Sequence, residues 1–224
     1  MKKNLVIIIL IILVVIFGVL VIIEDNTFDN KLSKPEISEG VRGEFGIDKN
    51  INESTLDKYL NRQDVVYRDV RMLKDEANYE NIGGDSYLSG FVKGFEVIPY
   101  PYLVNVTGLP EEVGDTYKGD TLFKYENGTY IPNYKESMDI LEYIFPKDKI
   151  IFLMCGGGGY AGMTKNMLIS LGWDSNKIYN VGGYWNYDGN NSIKVKRTEN
   201  GKDIYDFWKV NYHDINFDFL SKVE

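Results

Sequence analysis

Residues 149–163, KIIFLMCGGGGYAGM, join an apolar run to a cysteine, four glycines and the start of a helical pattern. A short unbroken apolar run closed by a turn reads as a strand buried on both faces. After it, Met163, Met167, Leu168 and Leu171 recur at helical spacing, so a helix is expected over 161–171, with Gly172 at its C′ position. KIYNV (177–181) repeats the short-strand pattern and ends at Gly182-Gly183. Upstream, DVVYRDVR (64–71) is β-branched and aromatic and predicts a strand, whereas FEVIPYPYLVNV (95–106) reads as an extended stretch broken by prolines. NYKESMDILEYIF (133–145) sets Met138, Leu141, Ile144 and Phe145 on one helical face and stops at Pro146, and Ser54 is placed to cap a short helix carrying Leu56, Tyr59 and Leu60. Strands alternating with helices predict an α/β fold, a parallel sheet flanked by helices on both faces. The tail differs: SIKVKRTENGKDIYDFWKV predicts a β-hairpin turning near Asn200-Gly201.

A second feature sets the address. Leu5–Ile23 is apolar without interruption, follows Lys2 and Lys3, and is followed by Glu24 and Asp25. Roughly 20 apolar residues cross a bilayer as a helix. No small-residue cleavage pattern closes the run, so it reads as an uncleaved signal anchor. The lysines place the N-terminus in the cytoplasm and the rest of the chain outside, as a single-pass protein of the cell membrane. The expected organisation is a cytoplasmic tip and transmembrane anchor at 1–23, a stalk at 24–51, the α/β domain at 52–190 and the hairpin extension at 191–224. The segment 107–133 is an insertion that could overhang the cysteine as a lid. A net charge of −8 and scattered basic residues argue against nucleic acid as a partner.

Cys155 is the only cysteine, so no internal disulfide forms, and a free thiol facing an oxidising compartment must be buried or used. A glycine loop between strand and helix gathers unpaired N–H groups at the positive end of the helix dipole. That geometry predicts a depressed thiol pKa, with Cys155 as a nucleophile and the amides of Gly156, Gly157, Gly158, Gly159 and Tyr160 holding the negative charge. The loop lacks the lysine of a phosphate-binding P-loop. It also lacks the acidic residue that a dinucleotide site places at the end of the next strand. His213, in the tail, reads as a surface residue, and no His/Asp/Glu cluster has metal-ligand spacing. Neither metal nor cofactor is expected.

The stretch from about 52 to 190 resembles the rhodanese-like superfamily of sulfurtransferase and phosphatase-related domains. The likeness rests on an ordered set: Cys155 with Gly158, then Leu171-Gly172-Trp173, KIYNV, Gly182-Gly183 and Trp185. VVYRDVR, carrying Asp69 and Arg71, is similar to the family's Asp-x-Arg element, and Gly90 and Gly94 fall at its Gly-His-Ile-x-Gly element, with Phe91 in the histidine position. The resemblance implies a persulfide formed on Cys155 from a small sulfur-containing anion and passed to a thiol acceptor, with Asp69 and Arg71 in supporting roles. It departs where it matters chemically. The basic residue that usually closes the active loop is Tyr160, and the arginine of the phosphatases falls at Ala161. Losing that charge-assisted contact would cost roughly 2–5 kcal/mol of anion binding. Two functions from different classes are therefore expected from this chain, an extracytoplasmic sulfurtransferase or an inactive rhodanese-like module that binds another envelope protein.

Overall fold

The computed structural model describes residues 32–109, 111–114 and 117–223. In chain order its regular elements begin with β1 (Val65–Asp69), β2 (Gly90–Val92), β3 (Glu96–Val97) and the short helix α1 (Tyr100–Leu103). There follow β4 (Phe123–Glu126), β5 (Thr129–Pro132), α2 (Ser137–Ile144), β6 (Ile150–Cys155), α3 (Gly159–Ser170) and β7 (Ile178–Gly183). The chain closes with β8 (Ser192–Lys194), β9 (Lys196–Glu199) and β10 (Lys202–Tyr205). The central sheet has four parallel strands in the order β3-β1-β6-β7. The fold is thus α/β, with the cysteine strand paired on both sides.

Register decides which side chains share a face. Tyr67 lies opposite Phe152 and Phe152 opposite Tyr179. These rings and Phe95 form a chain of aromatic contacts at 5.2–5.6 Å between centroids. Ile151, Leu153 and Cys155 alternate with them and pack in one core cluster with Tyr100 and Leu103 of α1, Leu141 and Ile144 of α2, and Met167 and Leu168 of α3. All three described α-helices therefore serve one cluster, which corrects the expectation of helices on both faces. The aromatic face is met by the 3₁₀ turn Leu56–Tyr59, whose Leu56 is buried and whose Tyr59 carbonyl accepts from the Tyr67 hydroxyl at 2.6 Å. That turn has Thr55, not Ser54, at its N-cap position, and no side chain caps it. Over 95–106, only Glu96–Val97 is strand; Pro101 suits the first turn of a helix and the chain coils into α1.

The stretch expected to be stalk behaves differently in its described part. From Pro35 onward the described residues pack as one unit, and Ile47 and Ile51 are buried in it. Ile47 pairs in parallel with Asn180 of β7, and the Asp48 amide donates to the Asn180 carbonyl at 2.8 Å. Asp48 in turn accepts from the amides of Ile51 at 2.7 Å and Glu36 at 2.7 Å, which ties the segment into a closed loop. Its few apolar residues are spaced by glycine and polar positions, so no periodic signal marks it as packed.

The tail hairpin forms as expected: β9 and β10 pair across Asn200 and Gly201, both at positive φ, as a tight turn between twisted strands requires. A second hairpin of the same kind, β4–β5 about Asn127-Gly128, occupies part of the 107–133 insertion. Leu5–Ile23, read as a membrane anchor, lies outside the described residues. Among the described residues no helix is long and apolar enough to cross a membrane.

Candidate functional site

Cys155 ends β6 where the ladder to β7 slips, so that it stands opposite Gly183 rather than in step with Leu153↔Asn180. The chain then turns through four glycines that differ in what they do. A Cβ on Gly156 would meet the Trp185 ring at 2.3 Å, and Gly158 sits at φ 103°, where a side chain is strained. Gly159, by contrast, begins α3 with only ordinary contact to Phe45 at 3.8 Å. The loop carbonyls are occupied: Gly156 accepts from the Trp185 amide at 3.1 Å, and Gly158 accepts from Gly162 N at 3.0 Å and Asn180 Nδ2 at 2.9 Å. Arg42 donates to the Gly157 carbonyl at 3.3 Å while paired with Glu53 at 2.8 Å. The loop is therefore held rather than flexible.

The sulfur accepts a hydrogen bond from the Gly158 amide at 3.0 Å, and the Ala161 amide also favours its charged form. These are the loop amides expected for an anion cradle. The expected consequence, a depressed pKa, does not follow. Burial pushes the Cys155 thiol above its ordinary value of 9.0, and the Asp69 carboxylate adds to the rise, against the two amides and Arg71. Only 3 % of the residue is exposed, and desolvation of a thiolate there outweighs two amide bonds. At neutral pH the resting group is the thiol.

A pH dependence follows. The folded protein holds this proton more tightly than an exposed cysteine does. The stability gained by keeping the thiol neutral is complete below pH 9.0 and is lost as pH rises through the folded value. The rate at which iodoacetamide alkylates Cys155 in the native full chain should still be climbing above that pH. A rate that levels off at about pH 7 would instead show an activated thiolate.

Tyr160, expected among the substrate-binding residues, is pinned. Its hydroxyl donates to Asp75 Oδ2 at 3.2 Å and accepts from the Tyr79 hydroxyl at 2.7 Å. Burial raises the pKa of all three groups, so the network favours protonated hydroxyls. Asp69 and Arg71 are brought together as a fully formed pair. Asp69 accepts from Arg71 Nε at 2.9 Å and Nη2 at 2.5 Å, and Nη2 also donates to the Gly90 carbonyl at 2.8 Å. The Arg71 guanidinium stacks 4.8 Å from the Tyr184 ring centroid. Burial opposes its charge, but Asp69 overrides this and holds its pKa up.

Cys155, Arg71, Asp75, Tyr160 and Trp185 all line one cleft of about 830 Å³. Leu109 and Val113 of the insertion line it too, which places part of that segment where a lid was expected. Asp75, Tyr79 and Arg42 carried no motif of their own, since each joins the loop through a contact remote in sequence. Among the described residues, no three His, Cys, Asp or Glu side chains converge as a metal site would require. No protein-family model, no curated protein and no solved structure matches this chain.

Proposed function

We propose that the protein is a membrane-anchored, extracytoplasmic, rhodanese-like sulfur carrier that forms a persulfide on Cys155. The anchor in this reading is Leu5–Ile23. The observation that carries the reading is a lone thiol at the end of a central parallel strand, facing a cleft and accepting a loop amide on its sulfur. Cys155 first loses its proton to water. Its thiolate then attacks the sulfane sulfur of a donor; the new S–S bond forms as the donor's own S–S bond breaks, and the electron pair leaves with the departing group, sulfite when the donor is thiosulfate. An acceptor thiolate attacks the outer sulfur and the Cys155–S bond breaks, returning the cysteine as thiolate. The Gly158 and Ala161 amides stabilise that charge at each stage.

The test is the intact mass of the full chain before and after incubation with thiosulfate or glutathione persulfide, beside Cys155→Ser. One added sulfur atom, absent from the serine variant and removed by cyanide, is the expected result. The second reading, an inactive module that binds an envelope protein, is favoured by the buried, protonated thiol and by Tyr160 standing where a cation would grip the donor. Failure of both donors to add sulfur to a thiol that still alkylates would hand it the lead.

A further inference from the structure

The cleft beside Cys155 holds two buried donors with nothing to donate to. Arg71 is 7 % exposed, and its Nε and Nη2 are engaged by Asp69 and Gly90, yet Nη1 has no hydrogen-bond partner. Trp185 Nε1, on the ring that covers Gly156, is likewise buried and without a partner. A buried donor left unmade costs about 1–3 kcal/mol, and more when it is charged. Both residues line the same cleft as the thiol, so an acceptor placed there would recover both costs at once. The active loop supplies no cation of its own, because its fifth position is Tyr160, committed to Asp75 and Tyr79.

Size and lining decide what carries the acceptor. Pockets of roughly 300–1,000 Å³ enclose drug-sized organic ligands. At about 830 Å³ this cleft would leave an inorganic ion such as thiosulfate surrounded by empty space. The rest of the wall includes Tyr79, Leu109, Val113 and Met163, which offer apolar area, beside the charged Arg42, Asp85 and Lys165, of which Arg42 is already paired with Glu53. We infer that the cleft binds an organic molecule with a single anionic head, a carboxylate or sulfonate seated on Arg71 Nη1 and Trp185 Nε1, and an apolar body lying against Tyr79, Leu109 and Met163. The inference rests on the sulfur-carrier reading only for what this molecule does, namely bring or accept the sulfane sulfur. The site itself is defined by the orphaned donors and the cleft.

The test is calorimetric titration of the full chain with naphthalene-1-sulfonate, with 1-naphthalenemethanol as the neutral analogue and sodium thiosulfate as competitor. The sulfonate should bind at one site, at least about tenfold tighter than the alcohol, because a charged hydrogen bond distinguishes them. Millimolar thiosulfate should not displace it. Trp185→Phe removes Nε1 and keeps a ring, and it should weaken the sulfonate about tenfold while leaving the alcohol unchanged. Arg71→Lys should do the same; if that variant loses its cooperative unfolding transition, Trp185→Phe decides. No sulfonate binding, equal affinity for sulfonate and alcohol, or displacement by thiosulfate overturns the inference. Cys155→Ser should bind the sulfonate as the native chain does. Sulfonate binding without sulfur uptake on Cys155 therefore sinks the carrier reading and leaves the ligand class standing, and sulfur uptake without sulfonate binding does the reverse.

Discussion

Asp69→Ala should destabilise the full chain by about 3–5 kcal/mol, the cost of leaving one member of a buried ion pair uncompensated. Asp69 is 0 % exposed and receives the Arg71 guanidinium at two nitrogens as well as the Arg71 amide at 3.2 Å. Once the carboxylate is gone, the guanidinium keeps its charge and its place between Tyr184 and the Gly90 carbonyl, with little water to solvate it. Urea unfolding followed by tryptophan fluorescence reads the change as a shifted midpoint. The double variant Asp69→Ala/Arg71→Met should recover a substantial part of the loss, because it removes the stranded charge. A loss below about 1 kcal/mol, the range of solvent-exposed ion pairs in general, would show that the pair is solvated and does not organise the end of β1.

Gly183→Ala is expected to cost about 3 kcal/mol, while Gly159→Ala in the neighbouring loop should be close to neutral. A Cβ on Gly183 would stand 2.0 Å from the Gly156 carbonyl oxygen and 2.6 Å from the Gly157 Cα. Those are backbone atoms, so no rotamer change relieves the clash, and the slip that brings Cys155 opposite Gly183 has to open. At Gly159 the nearest atoms are ring carbons of Phe45 at ordinary contact distance, and alanine is a good residue for the first turn of a helix. The pair should also separate in reactivity: Gly183→Ala exposes the thiol and speeds its alkylation, whereas Gly159→Ala leaves that rate alone. Equal effects of the two substitutions on unfolding would show that loop flexibility, rather than backbone contact, sets the glycine requirement.

What could be read from residue order is what is local. The strand–glycine–helix unit around Cys155 has its signal within a dozen residues, and so does the Asn200-Gly201 hairpin. The β4–β5 hairpin carried the same Asn-Gly signal at Asn127-Gly128, but it sits among residues read as one insertion. Helices on a single face were not legible, because only the finished sheet shows that Tyr67, Phe95, Phe152 and Tyr179 need no helical cover. The direction of the Cys155 pKa was missed for the same reason. The glycine loop argues for a thiolate, and only burial, a property of the whole fold, reverses the sign. Tyr160 meets Asp75 across 85 positions of chain, a distance over which no motif speaks.

Those long separations bear on when the site comes into being. Ile47 finds its partner only at Asn180, and the Phe45 carbonyl accepts from the same asparagine's side chain at 2.7 Å. The segment that presses on the glycine loop is thus made early and cannot dock until most of the chain has been synthesised. Contacts so distant in sequence form late, because loop closure must be completed before they stabilise anything. The glycine loop beside Cys155 is consequently braced late, and the docking of this segment is expected among the last steps in folding. Once it has docked, a reagent bound for Cys155 must enter through the cleft that this thiol lines.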